Sequence, residues 1–206
     1  MPKKPVAPLT WELEEKYFAE GCSVICGTDE AGRGPLCGPV AAAAVILPRG
    51  FIIPGLNDSK KLSEKKREEL FGIITENAVS YAIELVDNTV IDEINILAAA
   101  QLAMRRSIEK LTPFPDLALV DGNIARDFPC RAVTVVKGDA ISPSIAAASI
   151  LAKVTRDRLC IEHDAMYPEY GIAKHKGYPT ADHMEAVRKY GPSPIHRLSF
   201  LKFLDK

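Results

Sequence analysis

Four acids stand where acids are costly. Asp29, Glu30, Asp121 and Asp139 each fall at or just after a short apolar run, at residues 23–29, 117–120 and 132–136. Asp is a poor strand former, and an uncompensated charge at the edge of a core is expensive, so something should offset these side chains. If the strand ends lie side by side, three or four carboxylates crowd one spot. Their repulsion would raise their pKa values unless a divalent cation sat among them. An all-oxygen ligand set selects Mg²⁺ or Mn²⁺ over zinc. Three acidic strand exits around one sheet edge match the cage that two-metal phosphodiester hydrolysis requires. Taken singly, each acid also reads as a turn cap, and Asp121-Gly122-Asn123 has ordinary turn chemistry.

Other residues could serve such a centre. Gly32 and Gly34 flank Arg33 directly after the acidic pair, which would let backbone N–H groups approach a phosphate or sugar without Cβ interference. The same residues also make a plain tight hairpin. Lys60, Lys61, Lys65, Lys66 and Arg67 form a cationic stretch that reads as a phosphate track or as a solvated helix face. Lys174-His175-Lys176-Gly177-Tyr178 sets an aromatic ring among cations, a combination that can stack on a sugar or base while holding phosphate. The Gly-x-x-x-x-Gly-Lys phosphate loop, the Gly-x-Ser-x-Gly elbow and the His-x-x-x-His metal pattern are all missing, which excludes P-loop, serine-hydrolase and zinc-hydrolase readings.

The elements that must position these groups follow from pattern. Residues 23–29 and 40–47 read as buried strands joined by a Gly- and Pro-rich turn that suits antiparallel pairing, which puts Asp29 and Glu30 at a strand end. Ser63 opens a helix through about residue 77, and a strand follows at 79–86. Ile94, Leu97, Ala98, Met104, Ile108 and Leu111 recur at helical spacing, the longest clear helix by pattern. Strands at 117–120 and 132–136 follow, each trailed by an acid. Ser142 with Pro143 then caps an Ala-rich helix over 145–159, and a short helix runs from Pro179 to Tyr190. Strands first, then alternating helices and strands, predict an α/β fold: a mixed five-stranded sheet flanked by helices.

Composition agrees with one domain. The 206 residues are 47% hydrophobic and 26% charged, neither disordered nor membrane-bundle composition. The net charge of −1 allows no chain-wide polycationic surface, so a nucleic-acid site must be a local patch. The longest apolar run, residues 40–47, is under half the roughly 20 residues of a membrane span. The N-terminus lacks a secretory apolar stretch, and the expected location is cytoplasmic. Five scattered cysteines without a Cys-x-x-Cys pair read as reduced thiols. The expected layout is a flexible lead-in over 1–20, a catalytic domain over 21–163 and a helical C-terminal extension over 164–206.

Gly27-Thr28-Asp29-Glu30-Ala31-Gly32-Arg33-Gly34-Pro35-Leu36, followed by Gly38-Pro39-Val40, closely resembles the opening motif of the bacterial ribonuclease HII family. Asn57 to Ser63, Val120-Asp121-Gly122, Lys137-Gly138-Asp139, Ala146 to Lys153 and His175 to Thr180 resemble further blocks of that family in the right order. The resemblance spans about residues 20 to 200. It implies a ribonuclease H-like fold with a helical C-terminal extension, acting as a monomeric endonuclease on RNA–DNA hybrids and on duplex DNA carrying single ribonucleotides, with a place in ribonucleotide repair. By motif, Asp29, Glu30, Asp121 and Asp139 would hold two divalent ions, Mg²⁺ or Mn²⁺; a bridging role for Asp29 is a separate expectation, from its place at the end of a central strand. Gly32, Arg33 and Gly34 would read the 2′-hydroxyl, Tyr178 would stack on the next deoxyribose, and Lys60 would contact substrate. Recruitment by replication proteins is left open. The sister ribonuclease HIII type carries an N-terminal substrate-binding domain and Lys in place of Arg33. Cys37, Ile172 and Leu198 depart from the usual pattern. The alternatives are another two-metal nuclease of this fold, such as a junction resolvase or exonuclease, and a silent hybrid-binding module.

Overall fold

The computed structural model describes residues 9–205. Helix α1 (Glu12–Ala19) comes first and buries Glu14 and Tyr17. The loose lead-in expected over 1–20 is therefore corrected for residues 12–19, while residues 1–8 lie outside the described residues. Glu14 anchors the helix, accepting the Ser142 hydroxyl at 2.6 Å and the Ser144 N–H at 3.2 Å.

Strands β1 (Ile25–Ala31) and β2 (Val40–Ile46) pair antiparallel, as the turn between them requires. Strand β1 runs two residues past its expected end, to Ala31, so Asp29 and Glu30 lie within its last three residues, at its C-terminal end. After helix α2 (Glu64–Asn77), capped by Ser63, strand β3 (Ser80–Val86) adds antiparallel to β2. Helices α3 (Asn88–Ile94) and α4 (Ile96–Glu109) replace the single helix expected over 94–111. Asn95 interrupts it: at φ 68° its backbone leaves the helical region, and its side chain caps the N–H groups of Leu97 and Ala98. Strands β4 (Leu117–Asp121) and β5 (Arg131–Val135) run parallel to β1. The sheet order is β3-β2-β1-β4-β5.

Helix α5 (Pro143–Met166) is the longest element and passes the expected boundary at 163, joining the extension to the sheet without a break. Helices α6 (Ile172–His175) and α7 (Ala181–Tyr190) follow.

Strand β2 reads Val-Ala-Ala-Ala-Ala-Val-Ile and is buried throughout, since the sheet carries helices on both faces. Period-two alternation sends Val40, Ala42, Ala44 and Ile46 toward α4, and Ala43 and Val45 toward α2 and α5. Small residues let both layers approach. Gly27 is the extreme case, because a Cβ there would run into the α5 backbone at Ser144 and Ile145. The close seat of α5 on β1 brings polar residues of that helix to the acids. Among the described residues, no helix is long and apolar enough to cross a membrane.

Candidate active site

The acids meet at the C-terminal end of β1 and β4. These strands are parallel with Thr28 opposite Val120, so the next residue along each is Asp29 and Asp121. Alternation turns Asp29 toward α5 and its neighbour Glu30 toward α4. Asp29, Glu30 and Asp121 line one cleft of about 420 Å³. Asp139 lies beside it, on the turn Gly138–Ala140 between β5 and α5, rather than at a strand end. That turn is tied in by the Gly138 N–H, which donates to Asp121 Oδ1 at 2.7 Å.

Crowding shows in the protonation equilibria. Burial, then the charges of Glu30 and Asp121, push the Asp29 carboxyl well above the usual range. Burial likewise raises Glu30, against the pull of Arg33, whose guanidinium is 3.2 Å away. Burial, with Asp58 and Asp121, pushes Asp139 up to about 6. Burial disfavours the Lys60 ammonium, but Asp29, Asp139, Asp58 and Asp121 outweigh it and hold its pKa above the ordinary value. Four oxygen donors with too few cations are a fit for hard divalent ions, and nothing in this donor set favours a soft metal.

The glycine loop is held from behind. Gly32 takes φ +99°, and a Cβ there would collide with the Arg156 side chain. A Cβ on Gly34 would sit 3.3 Å from the Tyr178 ring, so Gly32, Arg33, Gly34 and Tyr178 share the cleft wall. Of the cationic stretch, Lys60 alone lines this cleft. Lys66 pairs with Glu69 and Lys61 with Asp58. Arg67 turns inward to Asp157 and to the carbonyls of Ser59 and Leu62. Lys174 pairs with Asp182 on the surface.

Sequence reasoning passed over Ser59, Ser149, Lys153 and Arg156 as site residues, yet all four line the cleft. A signal existed: Ser149, Lys153, Arg156 and Asp157 form a polar stripe at helical spacing in an otherwise Ala- and Ile-rich helix. It also passed over Arg197, fully buried, which donates to the carbonyls of Gly32, Arg33, Pro35 and Gly38 at 2.7–3.2 Å. No local pattern links positions 160 residues apart.

Comparison with known proteins agrees with this geometry. The chain is 55% identical over 190 residues to "Ribonuclease HII" of Ruminiclostridium cellulolyticum, covering 92% of this chain and 74% of that protein. Its fold is similar to the crystal structure of the ribonuclease H2 from Pyrococcus horikoshii OT3, with TM-score 0.74 and 27% identity over 89% of this chain and 97% of that one. It also has the fold of Bst-RNase HIII solved in complex with Mn²⁺, with TM-score 0.64 and 21% identity over 88% of this chain and 64% of that one. Residues 26–203 match the family described as Ribonuclease HII. An enzyme built on this sheet, with this acid cleft and these relatives, belongs to the ribonuclease HII family and is a ribonuclease H.

Proposed function

We infer that this ribonuclease H cleaves the RNA strand of RNA–DNA hybrids and nicks duplex DNA on the 5′ side of single embedded ribonucleotides. The observation that carries this reading is the Asp29–Glu30–Asp121 cleft with the Gly32–Gly34 loop and Tyr178 on its wall. Asp29, Glu30, Asp121 and Asp139 are the residues that would hold two divalent ions, Mg²⁺ or Mn²⁺. Bound there, the ions would supply an activated water and charge stabilisation for the leaving 3′ oxygen. The products would carry 5′-phosphate and 3′-hydroxyl ends.

The chain's own groups do the rest. Gly32, Arg33 and Gly34, on the cleft wall, would read the 2′-hydroxyl largely through backbone atoms, the one local group that marks a ribonucleotide among deoxyribonucleotides. The half-exposed Tyr178 ring offers a stacking platform for the following sugar. Lys60 and Lys153 offset phosphate charge, and Lys60 keeps its proton because four carboxylates surround it. Asp29, the most buried of the four acids, would be the ligand that the ions share. The segment 164–206 acts as the cover that carries Tyr178 to a catalytic body over 21–163.

The test is cleavage of DNA duplexes with and without one ribonucleotide, in Mg²⁺, Mn²⁺ or chelator, using wild type and Asp121→Asn. Metal-dependent nicking at the ribonucleotide alone, lost in the variant, is expected. Equal cutting of both duplexes would instead identify a general two-metal nuclease, and binding without cutting a silent module.

A further inference from the structure

Beneath the cleft wall lies a second cluster of ligand-type side chains. Cys37, His183 and His196 are buried, with their ligand atoms within 4.8 Å of one another. Their hydrogen bonds argue against a metal and for a wire. The Ser193 N–H can only donate, and it meets His196 Nδ1 at 3.0 Å. His196 Nδ1 is therefore the acceptor, for this N–H and for the Ser193 hydroxyl at 2.8 Å, and the proton of the neutral ring sits on Nε2. That proton faces His183 Nε2 at 3.1 Å. His183 must then accept there and carry its own proton on Nδ1, which lies 3.0 Å from the Tyr178 carbonyl. One backbone N–H thus sets the direction of three successive hydrogen bonds. Coordination through His196 Nε2 would require moving its proton to Nδ1, against the Ser193 N–H. Burial keeps both rings neutral, holding His196 down to about 4 and His183 below its usual value.

We propose that His196 and His183 are positioning residues: their directional relay fixes the Tyr178 carbonyl, and with it the Tyr178 ring against Gly34, so that recognition of the ribonucleotide junction depends on two histidines buried away from the substrate. The proposal rests on the reading of Tyr178 as the stacking residue. The surrounding bonds converge on the same short loop. The Thr180 N–H donates to the Tyr178 carbonyl at 2.8 Å, and the Leu36 N–H donates to the Gly177 carbonyl at 2.8 Å. His175 stacks on His183 with ring centroids 4.3 Å apart and accepts the Gly177 N–H at 3.2 Å. Arg197, next in sequence to His196, holds the Gly32 to Gly38 side of the wall through four carbonyls. Five consecutive residues, Ser193 to Arg197, thereby register both halves of the substrate-reading wall against each other.

The relay makes a spectroscopic commitment independent of activity. In the full chain, imidazole ¹⁵N shifts and couplings should give neutral rings of opposite tautomer, with the proton on Nε2 in His196 and on Nδ1 in His183. A proton on His196 Nδ1, or a shift of both rings on adding Zn²⁺, would overturn the relay. On a duplex with one ribonucleotide, His183→Phe should lower kcat/KM about tenfold, the scale of one well-placed hydrogen bond. His183→Asn, whose amide can donate from near the Nδ1 position, should recover most of that loss with an unchanged melting temperature. In a Tyr178→Ala background, His183→Phe should cost less than twofold, because the two act through one ring. Should His183→Phe fail to fold, His196→Leu serves in its place, since it removes the donor toward His183. A full tenfold cost in the Tyr178→Ala background would reduce the pair to a structural role and overturn the proposal. If Tyr178→Ala alone leaves kcat/KM unchanged, the stacking reading of Tyr178 falls, and the tautomers still decide the relay.

Discussion

Two buried charged regions lie back to back in this molecule and are treated in opposite ways. In the acid cleft, Asp29, Glu30 and Asp121 press together, and Asp29 accepts little beyond the Glu30 N–H at 2.7 Å and the Ser149 side chain. Behind the glycine loop, Arg197 is just as deep, yet four backbone carbonyls satisfy it. The fold completes the second charge by itself and leaves the first for something that must be bound. Uncompensated like charge is a cost in the free protein, tolerated because a divalent ion turns it into affinity. The satisfied arginine is scaffolding that shapes the loop, and a ligand adds nothing to it.

The contrast can be broken from either side. The largest effect is expected from Asp29→Asn and Asp121→Asn. Each should lower cleavage about a thousandfold by removing a metal ligand, while the metal-free melting temperature holds or rises because repulsion is relieved. A drop in both activity and stability would show these acids to be structural. Arg197→Ala should do the reverse in the fold, costing about 3 kcal/mol or more in denaturant melts by stranding four buried carbonyls.

Acid titration of the metal-free protein sharpens the difference, because the two regions respond with opposite sign. His196 titrates near 4 in the fold against 6.5 unfolded, so its stabilisation is complete above pH 6.5 and drains as pH falls to 4, by roughly 3 kcal/mol. Asp139 is raised to about 6 from 3.8, so its ionised form strains the fold at neutral pH and acidification between those values relieves it. His196→Gln should flatten the acid loss and Asp139→Asn should steepen the net loss, both read from melts across pH 4 to 7. The smallest effect is from the ion itself. At about 100 times its dissociation constant, Mg²⁺ should add about 2.7 kcal/mol of stability, and Asp29→Asn should abolish that increment. Arg197→Lys, if folded, should retain it.

Local sequence carried much of this. Short apolar runs and turn residues located all five strands, Ser63 and Ser142 cap the helices that their types foretell, and Thr180 caps the helix expected from Pro179 onward. The errors have physical causes. The Asn95 break was invisible because Ile94 and Leu97 keep helical spacing across a residue whose backbone is positive in φ. Helix α1 was missed because its short amphipathic face is stabilised by burial of Glu14 against Ser142 and Ser144, far along the chain. Lys60 and Lys61 look alike in sequence, but one lines the cleft and the other pairs with Asp58.

What the sequence by itself determined is the chemistry on offer: four acids following apolar runs, a Gly-Arg-Gly turn and an aromatic residue among cations, all written in local residue type and spacing. Tertiary structure alone decided who stands behind them. Register of parallel β1 and β4 sets Asp29 beside Asp121. The close approach of α5 across Gly27 brings Ser149, Lys153 and Arg156 to the cleft, and the return of the chain at 193–197 places His196 and Arg197 under the wall. Those partners are long-range, and local propensity has no term for a contact whose two halves are 160 residues apart.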